Sequence, residues 1–481
     1  MDWHLCAHSF TDGGNDRLVA RQQIESWRRQ EIKIKPAATI ILILIIVVSV
    51  LYYRGLIPTK TNETTTTWSK TNQTTSISST LTEVQQYDLI EKMAFTFIVE
   101  KMMNSQGGIF STYRSNYPIS YSYGTNHEVL AESVRLLLYY AYLVNNRTLF
   151  NIEYNLAKNY LIGPYDVFYW KLSANMSPFK GQYGQYGSAS IDDLKMAEAM
   201  LLGYEAWKDP DYLKFAERIS EGIRLHEVHP SDQILVEWFN WDSKANTESS
   251  HYLKLSYADS SAIKKITQYS PVWAPVLNNT MRIVAGGIVP STGLAYDYYD
   301  IPNTRYLNLD QYVDSIYEIW TGMNLWSAGL TNSSTRLYTF FKTHYMKDGV
   351  VHTSYNPMDG TSSKYEAGPG TYALLIRLAL RVGDLDFAKS LFEQKLLTFQ
   401  EVDPGSELFA AFTTEWPGSI KEANSFDNLT SIVAIRELKQ AMTGTLIWNR
   451  MSVVSQRRIF SCGASLLARK SYLEEIISTI F

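Results

Sequence analysis

The sequence predicts an all-α fold, an (α/α)6 toroid of helical hairpins, preceded by one transmembrane helix. Three observations predict it. Between residues 86 and 440 apolar residues recur at helical spacing, in paired segments joined by short polar turns such as WKDPDY (207–212) and RVGDLD (381–386). No alternating strand patterns separate the pairs, and no fixed period marks a solenoid. Ahead of them, AATIILILIIVVSVLYY (37–53) is a charge-free run long enough to cross a bilayer core.

Taken in order, residues 1–36 form a basic segment that carries Arg17, Arg21, Arg28, Arg29, Lys33 and Lys35, against only Arg54 and Lys60 just past the apolar run. This bias predicts a cytoplasmic N-terminus and an extracellular remainder, held to the membrane through 37–53. Residues 54–85 read as a Thr/Ser-rich stalk, too poor in apolar residues to pack. Sequons at Asn62, Asn72, Asn146, Asn175, Asn278, Asn332 and Asn428 all lie beyond the span. Helices are expected over 86–103, 127–144, 150–162, 191–207, 210–223, 309–329, 335–345, 369–382, 384–398 and 428–441, with a weaker pattern over 272–285. The tail, 441–481, turns basic and then apolar, and no function is legible in it.

Composition narrows the function. A formal net charge of −4 gives no footprint for nucleic acid. Cys6 and Cys462, at opposite ends of the chain, form no disulfide framework, so packing must hold the domain together. His127 has no second histidine at ligand spacing, so neither a metal site nor a cofactor is expected. The chain is rich in flat amphipathic rings, with 33 Tyr and 12 Trp. They concentrate between the hairpins, in 163–190, 236–244 and 291–310, beside Asp, Asn and Gly. Such loops on one face of a toroid suit a cleft for a polysaccharide or oligosaccharide, because rings stack on sugar faces and amides bind hydroxyls. Tyr123, Tyr183, Tyr186, Trp238, Trp241 and Trp273 are the candidate platforms, with core packing the alternative for each.

Carboxylates carry the candidate chemistry. Glu128, the adjacent pair Asp192 and Asp193, and Asp314 stand at the starts of predicted helices, next to Gly/Tyr-rich loops. Acids there are stabilised by the helix N-terminus in any case. Several of them in one cleft, without a basic cluster, suit glycosidic bond hydrolysis, which needs one protonated acid and one ionised carboxylate.

From about 86 to 400 the chain resembles glycoside hydrolase family 8. SASIDDLKMAEAMLLGYEAWKDPDYLKFAERI (188–219) is similar to the family's Ser-Ala-Thr-Asp-Gly-Asp-Leu-Asp-Ile-Ala hairpin, LSYADSS (255–261) to its following Ser-Tyr segment, and GGIVPSTGLAYDYYD (286–300) to the stretch before its base motif. The resemblance implies the (α/α)6 fold and hydrolysis of a β-1,4-linked polysaccharide with inversion. It implies a general acid at Glu128, a general base at Asp314, and sugar binding by Asp192 or Asp193. The family's Gly-Gln-Gly-Tyr-Gly does not follow Glu128, its Arg does not follow Asp314, and Ile191 stands where its sugar-holding Asp is expected. These departures leave open a catalytically inactive glycan-binding or cell-surface protein on the same toroid. A lyase or uronide hydrolase is disfavoured, because the cleft loops are acidic and aromatic rather than basic.

Overall fold

A computed structural model describes residues 82–445, apart from 116, 119, 122, 123 and 416–418. The cytoplasmic segment, the run 37–53, nearly all of the stalk and 446–481 lie outside the described residues. Among the described residues no helix is long and apolar enough to cross a membrane.

Among the described residues twelve α-helices alternate between two layers. The outer ones are α1 (Glu83–Phe97), α3 (Arg147–Leu156), α5 (Pro210–His226), α7 (Ala274–Gly286), α9 (Thr331–Asp348) and α11 (Leu385–Gln394). The inner ones are α2 (Ala131–Leu143), α4 (Ser190–Trp207), α6 (Ser260–Tyr269), α8 (Ser315–Ala328), α10 (Pro369–Val382) and α12 (Ser425–Met442). Each inner helix packs on the next around a ring, and α12 closes the ring on α2. The outer helices cover them, α1 on α12 and the others each on the inner helix that precedes it. This is the six-hairpin toroid expected from the sequence, in which a continuous apolar core joins the two layers.

Local chemistry sets the hairpins. Asn146, Asp209 and Asp384 cap the starts of α3, α5 and α11 with their side chains, and Pro210 stands at the first position of α5. Gly329 and Gly383 end α8 and α10 in the left-handed conformation, which lets the chain reverse within a few residues. The inner helices are buried on nearly all sides, as all-round apolar helices must be.

Since each turn from an inner to an outer helix is short, the six long connections (98–130, 157–189, 227–259, 287–314, 349–368 and 395–424) collect at the N-terminal ends of the inner helices. Short strands zip neighbouring connections together. β1 (Val129–Leu130) pairs with β2 (Lys171–Leu172), and β3 (Tyr186–Gly187) pairs with β4 (Phe239–Trp241). β5 (Tyr252–Lys254) pairs with β6 (Tyr298–Asp300), and β7 (Val313–Asp314) with β8 (Ser354–Tyr355). All are antiparallel.

The fourth residue of four inner helices repeats one device. Asp193 of α4 accepts the Phe168 N–H at 2.8 Å, and Glu318 of α8 accepts the Ala295 N–H at 2.9 Å. Tyr372 of α10 accepts the Val351 N–H at 2.9 Å, and Asn428 of α12 accepts the Phe412 N–H at 2.8 Å. Each side chain pins the connection that leads into its own helix, which would otherwise bury an unpaired amide.

The helices expected from periodicity largely stand, 369–382 to the residue. Two start later than expected. The 127–144 segment begins its helix at Ala131 and the 309–329 segment at Ser315, because Val129–Leu130 and Val313–Asp314 are drawn into strand pairs. α6 is additional to the expected set: SSAIKKITQY carries a single short apolar stripe.

Candidate active site

The first turns of the inner helices converge on the axis of the ring. Glu132 of α2 is 24% exposed at its side chain, and its carboxyl is pushed up to about 7, chiefly by burial and further by Asp192 and Asp427, with Arg135 opposing. Arg135, one turn on, is buried, and its Nε donates to Asp192 Oδ1 at 2.5 Å. Burial holds the Asp192 carboxyl above its usual range against that guanidinium. Asp427 of α12 accepts from Gly370 N at 2.8 Å, Thr414 Oγ1 at 2.8 Å and Asn424 Nδ2 at 2.7 Å. A Cβ at Gly370 would stand 2.6 Å from Asp427 Oδ1, so α10 needs a glycine to admit this carboxylate.

Across the ring from α2 is α8. Asp314 is its N-cap residue and is half-buried, with Tyr317 and Trp320 following on the same helix. The Arg135 guanidinium lies 5.6 Å from the centre of the Trp320 ring, so side chains from opposed helices meet over the axis and floor the cleft. Deeper on the axis, Lys195 of α4 bridges Asp259 at 2.7 Å and Glu198 at 2.9 Å. Arg377 of α10 grips Glu437 of α12 at 2.9 Å, and Tyr139 of α2 donates to Glu437 at 2.9 Å. Buried charges inside the ring are thus paired helix to helix, as burial requires.

Solved structures with this architecture include an α-amylase from Clostridium perfringens, with a TM-score of 0.64 and 23% identity over 72% of this chain and 97% of that one. A family 8 endoglucanase from Klebsiella pneumoniae superposes with a TM-score of 0.51 and 13% identity over 72% and 99%. A β-1,3-1,4-glucanase from Paenibacillus sp. X4 gives 0.52 and 15% over 74% and 92%. The fold is a divergent form of the family 8 glycoside hydrolase fold. No family model matches the sequence, and no curated protein matches it.

Within this family 8 fold the expected site residues separate. Glu128 is not in the cleft. Its side chain is 4% exposed and accepts the N–H groups of Thr125 at 2.7 Å and Asn126 at 2.5 Å, and Lys171 Nζ stands 3.5 Å away. His127, at φ 54°, turns the chain into this arrangement, with its ring stacked on Phe110 at 4.3 Å. Glu128 therefore anchors a loop, and Glu132, a turn later, presents the accessible carboxyl. Asp193 is a correction too. It points away from the axis to Phe168 and Glu227, and burial with the neighbouring Glu227 carboxyl holds it well above the usual range.

Trp241 is buried in a small apolar cluster with Val167 and Phe239, and its face is covered rather than offered to a sugar. Trp273 is 1% exposed and lies in the turn between α6 and α7, at the end of the toroid opposite the long connections. Tyr186 packs on Tyr169 and Trp241, and Trp238 is half-buried. Tyr183 is 63% exposed on the 157–189 connection, and Tyr123 lies outside the described residues. Among the described residues no group of His, Cys, Asp and Glu has the arrangement to hold a metal ion. The sequon at Asn428 is fully buried, with its amide bonded to Phe412 on both sides, so the folded domain does not offer it for glycosylation.

Sequence reasoning missed Glu132, Arg135, Asp427 and Trp320. Glu132 had a signal: it is the acid that opens a long, mainly apolar helical segment, SVRLLLYYAYL. Asp427 had a weaker one, in the Asn-Ser-Phe-Asp spacing of an N-cap and its first turn.

Proposed function

We propose that the chain is a membrane-anchored extracellular glycoside hydrolase that cleaves a neutral polysaccharide by an inverting acid/base mechanism, with Glu132 as general acid and Asp314 as general base. One observation carries this reading: a partly exposed carboxyl that stays protonated to about pH 7 stands on α2, and a second carboxyl, that of the N-cap residue Asp314, stands at the start of α8 across the ring. Glu132 gives its proton to the glycosidic oxygen as the bond to the anomeric carbon breaks. Asp314 takes a proton from the water that attacks that carbon from the opposite face. Inversion requires the two carboxyls roughly 6.5–9.5 Å apart, with room for that water. Asp192, fixed by Arg135, and Asp427 line the same floor for sugar hydroxyls, and Tyr183 and Trp320 supply flat faces.

The resemblance in the 188–219 hairpin favours a β-1,4-linked substrate. The likeness to an α-amylase brings starch onto the test panel beside β-1,4-glucan, mixed-linkage β-glucan and xylan. The experiment is to assay the full-length chain on that panel with Glu132→Gln and Asp314→Asn alongside, following the anomeric configuration of the first product by NMR. Full activity in either variant would sink the assignment. Glycan binding without hydrolysis is the second reading, favoured by buried Ile191 at the sugar-holding position. Wild-type protein that binds a polysaccharide on the panel and cleaves none would establish it. The anchor is supported by the apolar run 37–53 and the basic residues ahead of it. Protease protection in intact cells would test which side the domain occupies.

A further inference from the structure

The guanidinium of Arg135 holds the donors of Nη2 in reserve. Nε is committed to Asp192 at 2.5 Å, and Trp320 lies 5.6 Å from the guanidinium carbon. Nη2 is buried, finds no hydrogen-bond acceptor among the described residues, and stands 3.8 Å from Glu132 Oε2, just beyond bonding distance. A buried charged donor left unpaired is costly, and a residue so firmly held has a reason to keep one. Glu132 and Arg135 share one face of α2 at a three-residue spacing, so a small rotation of either side chain closes the gap.

We propose that Arg135 is a positioning residue for Glu132, whose Nη2 is reserved for the carboxylate left on Glu132 after it delivers its proton. The proposal rests on the assignment of Glu132 as the acid. In the resting state Glu132 is a neutral carboxylic acid and needs no ion pair. When the glycosidic bond breaks, its electron pair goes to the leaving oxygen, the Glu132 proton goes to the same oxygen, and a full negative charge appears on Glu132. Arg135 keeps its own proton and closes from an open contact to a charge-assisted hydrogen bond, so the new charge is met by a donor that is already oriented. Asp192 and Trp320 prevent the guanidinium from leaving, and proton uptake from water resets the acid.

The charged groups around the pair come from three helices: Asp192 of α4, Asp427 of α12 and Asp259 at the start of α6. The first turn of α10, Pro369-Gly370-Thr371, adds none. Arg135 is therefore the cation nearest the acid in a floor of carboxyls. A lysine would keep the charge but not the two-pronged geometry that holds Asp192 and faces Glu132 together.

The test compares full-length Arg135→Lys, Arg135→Met and Glu132→Gln with wild type on whichever polysaccharide wild type cleaves. Folding is checked by circular dichroism and melting temperature. Arg135→Lys is expected to lower kcat by roughly a hundredfold with KM little changed. Arg135→Met is expected to move the alkaline limb of the kcat profile to higher pH by about one unit or more, because the acid loses its opposing cation. That shift reports the cation's field at Glu132, and the loss of kcat in Arg135→Lys, which keeps the charge, reports the geometry that a merely structural arginine would not supply. Wild-type kcat in a folded Arg135→Lys enzyme, or an unshifted limb in a folded Arg135→Met enzyme, would overturn the proposal, as would a rise in KM alone. If Arg135→Met fails to fold, Arg135→Lys and partial rescue of it by added guanidinium decide the matter. Full activity in Glu132→Gln would instead remove the assigned acid itself, which separates the two failures.

Discussion

Replacing Asp193 with asparagine tests whether this carboxyl belongs to the fold or to the cleft. Asp193 and Glu227 are both fully buried and face each other, with Ser188 donating to Glu227 and the Phe168 N–H to Asp193. Burial pushes Glu227 up to about 7 from an ordinary 4.5. Its folded value is raised, so the stabilisation is complete below the unfolded carboxyl value of about 4.5 and is lost as pH rises through about 7. At about 1.4 kcal/mol per pH unit the loss is about 3 kcal/mol. For a domain spanning 82–445 the entropy of unfolding is of order 0.7 kcal/mol/K, so the melting temperature should fall by about 4 °C from this group between pH 5 and 8. In Asp193→Asn the amide oxygen still accepts the Phe168 N–H and the amide nitrogen offers a donor to an ionised Glu227, so the variant should lose most of that fall. The assay is melting temperature against pH for both proteins, with hydrolysis measured in parallel. Parallel melting curves would refute the buried-pair account, and loss of hydrolysis without loss of stability would return Asp193 to the substrate.

Glu132→Gln should reduce kcat by roughly 10²–10⁴-fold, and wild-type kcat should fall on an alkaline limb near pH 7, read from a pH–rate profile. Glu128→Gln leaves the Lys171 ammonium buried without its carboxylate, so it should destabilise the domain by about 3 kcal/mol in denaturant titration while leaving the pH limb in place. Trp273→Ala should cost about 3–5 kcal/mol by the same measurement without altering glycan affinity, since its ring fills the core at the far end of the toroid.

Periodicity located eleven of the twelve helices because each inner helix is apolar over several turns and each outer one presents an apolar stripe. Their starts were less legible. In HEVLAES and YVDSIY the residues before the helix are β-branched or apolar and extend the helical pattern backwards, although in the fold they pair with Lys171–Leu172 and Ser354–Tyr355. The family resemblance set the expected acid on Glu128, before the helix, whereas the proposed acid, Glu132, lies in its first turn. The aromatic platforms failed differently. Trp241 and Trp273 have the composition of ligand-stacking rings, and only their neighbours show that one lies in a buried cluster and the other at the wrong end.

The sequence by itself determined the hairpins, the toroid and the face that carries the site, because helical period, capping residues and turn length are local properties. The proposed membrane anchor rests on the sequence alone, through the apolar run 37–53 and the charge pattern around it. Only the tertiary structure decided which carboxyls meet. Asp192 and Asp193 are adjacent in sequence, yet a helix turns successive side chains about 100° apart. Thus Asp192 reaches Arg135 on the axis, and Asp193 reaches Glu227 in the wall.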